Sequence, residues 1–157
     1  MKVIVDPIRS VAEYGASKGI HTMSENHGRM FQSGRVMEEL VRAVGHENYG
    51  ILVDIGNNLT VDDDPLEGVA VMAPYCMHVH AKDFFMRPGH FPDPGDGWGR
   101  TLQGNFFRGT IFGQGVLNMP QTFRILTEAK YDGYVSLEFE GSEYTFFAIE
   151  TAYKNMM

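Results

Sequence analysis

The stretch Ile51-Leu52-Val53-Asp54-Ile55-Gly56-Asn57-Asn58 is a short apolar run that ends in a carboxylate and passes at once into turn residues. The same figure occurs three more times. Ile20 to Ser24 runs into Glu25, Met77 to Val79 into His80, and Val135 to Leu137 into Glu138. Short apolar runs bounded by turn signals read as buried strands, and most of the intervals hold a helix-like segment, so the chain reads as a βα repeat. In parallel α/β folds the strand ends that face the βα loops are where ligands bind. Two Glu, one Asp and one His at four such ends therefore point to a hard-metal ligand set rather than to fold maintenance.

The intervals support this. Pro7 to Lys18 carries Ile8, Val11, Ala12 and Ala16 at helical spacing and stops at Gly19. Arg35 to Val44 places Val36, Leu40, Val41 and Val44 on one face and closes at Gly45. Asp64 followed by Pro65 is an N-cap with proline at the first helical position. Asn118 caps a helix over Met119 to Ala129, and Tyr144 to Lys154 forms the last one. From Met86 to Gly115, by contrast, 11 of 30 residues are Gly or Pro, which predicts a long ordered loop with little secondary structure. Trp98, Phe91, Phe106 and Phe107 make it a lid rather than a solvated tether.

Alternate strand residues share a face. His21, Met23 and Glu25 point one way, Leu52 points with Asp54, His78 and His80 with Lys82, and Ser136 with Glu138 and Glu140. Ile51, Val53, Leu137 and Phe139 lie on the opposite, apolar face, where helices can cover them. A barrel interior is the shared space that the polar faces would line.

Composition excludes several classes. At 157 residues and 43% hydrophobic content the chain is long enough for one domain with a core. A net charge of −7 argues against a nucleic-acid surface, which needs cations to displace counterions from phosphates. The single Cys76 rules out an internal disulfide and fits a packed thiol in a reducing compartment. No apolar run approaches the ~20 residues of a membrane span, and the N-terminal residues lack the apolar core of a signal peptide. The expected location is cytoplasmic.

The runs SENHG, LVDIGNN, PYCMHVHAKDF, RGTIFGQGV and YDGYVSLEFEG, in this order, resemble the C-terminal half of the xylose-isomerase-like sugar phosphate isomerase/epimerase superfamily. The resemblance implies strands five to eight of a (β/α)8 TIM barrel, with residues 1–157 forming a partial barrel domain and a long loop at 86–115. It puts the metal ligands at Glu25, Asp54, His80 and Glu138, with Glu140 open as an alternative to Glu138 because both share a face. Such an oxygen-rich set suits Mn²⁺, the expected ion, or Mg²⁺, and tolerates Co²⁺ or Zn²⁺. The position three after Asp54, often histidine in relatives, is Asn57. Family members that cleave phosphodiesters with three zinc ions need further ligands at positions that here are Phe107 and Gly109, so DNA repair is not expected.

The implied activity is isomerisation or epimerisation of a sugar or sugar phosphate by proton transfer next to a carbonyl, with Glu25 and Glu138 as the acid/base pair. His27, Asn57, Lys82 and Arg108 are candidate substrate contacts. The alternatives are an inosose-dehydratase-like lyase on the same metal site and a non-catalytic half-barrel that acts only by association. A full barrel needs eight βα units and ~250 residues. Met1 falls just ahead of a helix that would follow strand four, so the expectation is a truncated chain whose partner is a missing N-terminal half-barrel or a second copy.

Overall fold

The computed structural model describes residues 2–157. Its core is a four-stranded parallel sheet with the order β1-β2-β3 followed by a last strand, β7. These strands are β1 (Thr22–Glu25), β2 (Tyr49–Asp54), β3 (Cys76–Ala81) and β7 (Val135–Leu137). Three helices cover one face and connect the strands: α1 (Lys2–Ser17), α3 (Gly34–Val44) and α4 (Pro65–Met72), with the short turn α2 (Gly28–Phe31) ahead of α3. Two more, α5 (Met119–Glu128) and α6 (Thr145–Met156), flank β7 in sequence.

The helix ends follow the chemistry of the sequence. Asp64 accepts hydrogen bonds from the Leu66 and Glu67 amides, and Asn118 accepts from Gln121, satisfying donors that the first helical turn leaves free. Gly45 closes α3 in a left-handed conformation at φ 59°. The first helix starts earlier than the expected Pro7 and carries that proline inside it. Burial of Val5 against the core favours the extra turn, although Pro7 has no amide hydrogen to donate to the Val3 carbonyl.

Parity along the sheet is as the strands predict. Ile51, Val53 and Val79 are fully buried in the apolar core together with Leu40, Val44, Val69 and Met72, while the other face carries the polar residues. The register sets Asp54 beside His80 and His80 beside Ser136, so these strand ends stand level. Gly34 and Gly68 let α3 and α4 approach backbone to backbone; a Cβ on Gly34 would strike the Gly68 backbone.

The segment expected to be a loop at 86–115 is instead partly sheet. Strands β4 (Asp83–Arg87), β5 (Gly99–Arg100) and β6 (Phe106–Thr110) form an antiparallel sheet in the order β4-β6-β5. Its strands are short, and glycines and prolines dominate the connections, so composition masks the pairing. The main pairing joins β4 to β6 across 19 to 27 residues, from Arg87 with Phe106 to Asp83 with Thr110, a contact that no window of local pattern contains. A bridge from Gly109 to Gly141 joins this flap to the segment after β7. No helix among the described residues is long and apolar enough to cross a membrane.

Candidate metal centre

Each strand end delivers one side chain to a common point. One ligand atom each from Glu25, Asp54, His80 and Glu138 lies within 4.8 Å of the others. His80 Nδ1 stands 3.4 Å from Glu25 Oε1 and 3.2 Å from Glu138 Oε2. Glu138, not Glu140, enters this cluster. Glu140 lies two residues further on and turns its Oε2 to Lys82 Nζ at 3.0 Å.

Asp54 is held on all sides. It is fully buried, and its Oδ1 accepts from the amides of Gly56 and Asn57, both at 2.9 Å. Asn26, also fully buried, donates to the Asp54 carbonyl at 2.9 Å and accepts from the Asp54 amide at 2.7 Å. These bonds leave Oδ2 free to face the cluster. Asp54 Oδ2, His80 Nδ1 and Glu138 Oε2 are all buried and make no aligned hydrogen bond; the charged neighbour of the two oxygens is Lys82 Nζ, at 3.4 and 2.9 Å. Buried polar atoms that lack partners are costly. Three of them converging beside a third carboxylate, Glu25, is the arrangement a divalent cation satisfies, and the mostly oxygen donor set with one imidazole fits Mg²⁺ or Mn²⁺.

Lys82 lies under this cluster. Its side chain is wholly buried, with Nζ 2.9 Å from Glu138 Oε2, 3.0 Å from Glu140 Oε2 and 3.4 Å from Asp54 Oδ2. Burial alone would lower the lysine's pKa, but the Asp54, Glu138 and Glu140 carboxylates outweigh it and hold the ammonium above its ordinary value. Burial pushes Asp54 up to about 7 against the opposing pull of Lys82. Burial also acts to raise Glu138, yet its bonds to Asp54 and Lys82 prevail and leave it below the usual carboxylate range.

The remaining expected contacts divide. Asn57 is buried beside the cluster, its Nδ2 3.5 Å from Glu25 Oε1. His27 is exposed and lines an open groove of about 360 Å³ with Arg29, Asn57, Phe107 and Glu140. Arg108 alternates with Phe107 along β6 and so leaves on the other face. Its guanidinium is 5.3 Å from the Phe85 ring centroid and 5.7 Å from that of Trp98, and 3.4 Å from Glu143 Oε1. Lys82, read from the sequence as a substrate contact, is enclosed by three carboxylates. His78 bonds Ser136 Oγ at 2.8 Å, one step below His80.

Asp83 braces a loop. Its carboxylate accepts from the amides of Phe84, Gly113, Gly115 and Leu117 at 2.8 to 3.2 Å, tying the 113–117 turn to the start of the flap. Asn26 and Glu143 were not singled out by sequence reasoning. Both act through contacts to residues 28 and 35 positions away, which leave no local signature.

The chain belongs to the xylose isomerase-like TIM barrel family, whose model matches residues 1–156. An inosose dehydratase of Bacillus thuringiensis (strain Al Hakam) is 23% identical over 139 residues, covering 87% of this chain and 46% of the relative. A xylose isomerase domain protein from Planctomyces limnophilus superposes with a TM-score of 0.75 at 18% identity, covering 99% of this chain and 50% of that one. A xylose isomerase-like TIM barrel protein from Mycobacterium smegmatis in complex with magnesium gives 0.74 at 19% identity, covering 99% and 49%. D-psicose 3-epimerase from Clostridium cellulolyticum H10, solved with D-tagatose, gives 0.65 at 16% identity, covering 88% and 43%. This chain thus spans about half the length of these relatives.

Proposed function

We propose that the chain is the metal-bearing, C-terminal half of a barrel that isomerises or epimerises a sugar or sugar phosphate, with Glu25, Asp54, His80 and Glu138 holding one divalent ion. The observation that carries this reading is the convergence of four ligand atoms within 4.8 Å at the ends of four parallel strands. A divalent ion there supplies positive charge to a carbonyl oxygen and so acidifies the neighbouring C–H. Glu25 ends β1 and Glu138 follows β7, the two edge strands of the sheet, and in this reading one carboxylate takes the α-proton and the other returns one to the opposite face. His27 and Asn57 bind hydroxyls, and Arg108 binds a hydroxyl or phosphate. The magnesium-bound neighbour and the sugar-bound epimerase neighbour support a divalent ion and a small polyhydroxylated substrate. Manganese is the ion this reading favours.

A second reading, dehydration of a ketocyclitol, is favoured by the inosose dehydratase relatives. It uses the same proton abstraction, followed by loss of the β-hydroxyl. The discriminating experiment incubates the protein and Mn²⁺ with ketohexoses, their phosphates and ketoinositols in D₂O, followed by proton NMR. Exchange of the α-proton with formation of the epimer or aldose supports the first reading, and an unsaturated product supports the second. An absence of stoichiometric Mn²⁺ binding, or binding that survives in both His80→Ala and Glu138→Gln, would overturn both.

A further inference from the structure

Among the largest fully buried side chains of the described residues is a lysine, and its charged end faces carboxylates. Lys82 Nζ has carboxylate oxygens of Asp54, Glu138 and Glu140 within 3.4 Å, and two of these residues belong to the four-residue cluster. The oxygens it approaches on Asp54 and Glu138, Oδ2 and Oε2, make no other close polar contact outside the cluster than this ion pair. A buried lysine that faced substrate would need a path to it. This one has no exposed surface, and its ring neighbour, Phe84, lies 5.9 Å away.

We propose that Lys82 is the internal counter-cation of the metal centre: a positioning residue that holds Asp54, Glu138 and Glu140 together and competes with the ion for the Asp54 and Glu138 oxygens. This rests on the metal reading above and reassigns Lys82 from substrate contact to site architecture. The physical case is one of charge. Glu25, Asp54 and Glu138 bring three carboxylates to within 4.8 Å in a partly water-excluded pocket, where like charges repel strongly. A fixed ammonium relieves that repulsion before an ion arrives. The same ammonium then repels the incoming cation, so the centre gains an assembled geometry and gives up affinity. Glu140, half-exposed beyond the cluster, draws Nζ outward and leaves Glu138 Oε2 shared between lysine and ion.

The test is Lys82→Met, which keeps the length and removes the charge, with Mn²⁺ affinity read from the electron paramagnetic resonance signal of the free ion. The proposal expects the variant to bind Mn²⁺ about tenfold or more tightly than the wild type, since it no longer places a like charge beside the Asp54 and Glu138 oxygens that would hold the ion. It also expects a larger Mn²⁺-induced rise in melting temperature than in the wild type, because the ion takes over the role of the lost cation. Should the variant fail to fold in EDTA, recovery of its circular dichroism spectrum on adding Mn²⁺ supports the proposal, and failure to recover overturns it. Equal or weaker binding by Lys82→Met overturns the counter-cation role while leaving the metal reading intact. No binding by the wild type overturns both.

Discussion

Asn26 and Asp54 exchange two hydrogen bonds across the ends of β1 and β2, from the Asn26 side chain to the Asp54 backbone and back, at 2.9 and 2.7 Å. This pairing sets the height of one ligand-bearing strand end against its neighbour. Asn26→Ala leaves a buried carbonyl and amide unpaired, so unfolding in urea should show a loss of about 2 to 4 kcal/mol. A change under ~0.5 kcal/mol would mean that water replaces the side chain.

Metal binding should depend on pH through Asp54. Burial raises its pKa to about 7, so a proton must leave before an ion binds. Affinity should climb by up to about tenfold per pH unit between 5 and 7 and level off above, as seen by isothermal titration with Mn²⁺. For folding without an ion the sign is reversed: an acid raised on folding stabilises the fold fully below its unfolded value near 4 and loses that contribution as pH rises through 7. Affinity that is flat from pH 5 to 7 would count against a raised Asp54.

Asp83 gathers four backbone amides. Replacing it with Ala orphans them and should cost about 3 kcal/mol or more. Hydrogen exchange should accelerate at Gly113, Gly115 and Leu117 before the rest of the core, and uniform protection in the variant would show that the turn is held by other contacts.

Arg108 tests the flap. In a catalytically competent form, Arg108→Ala should raise KM or lower kcat while Mn²⁺ affinity stays within about threefold, because the guanidinium lies outside the four-ligand cluster. Unchanged kinetics would reduce the Phe85–Arg108–Trp98 stack to a structural cover.

The sheet ends at β1 and β7, each paired on one side only, and Ile20 and Met23 near the first edge are exposed. Unprotected edges and apolar surface drive association. Light scattering at micromolar concentration should show dimers or larger species, and an added complementary half-barrel should convert them to a 1:1 complex. A stable monomer with cooperative unfolding would contradict this.

By itself the sequence determined the parallel strands, their inward and outward faces, the caps at Asp64 and Asn118, and the four strand-end residues, Glu25, Asp54, His80 and Glu138, that are proposed to hold an ion. All of these follow from local periodicity, from single-residue backbone preferences, or from a strand-end pattern repeated in order. It also left Glu138 and Glu140 level, since parity gives both the same face. Tertiary structure separated them, because Lys82 draws Glu140 to itself while Glu138 reaches His80 as well. The flap sheet, the Asn26 clasp and the burial of Lys82 were likewise decided only in three dimensions. Each depends on which distant groups share a low-dielectric space, and neither hydrogen-bond partners nor desolvation is written into the identity of one residue.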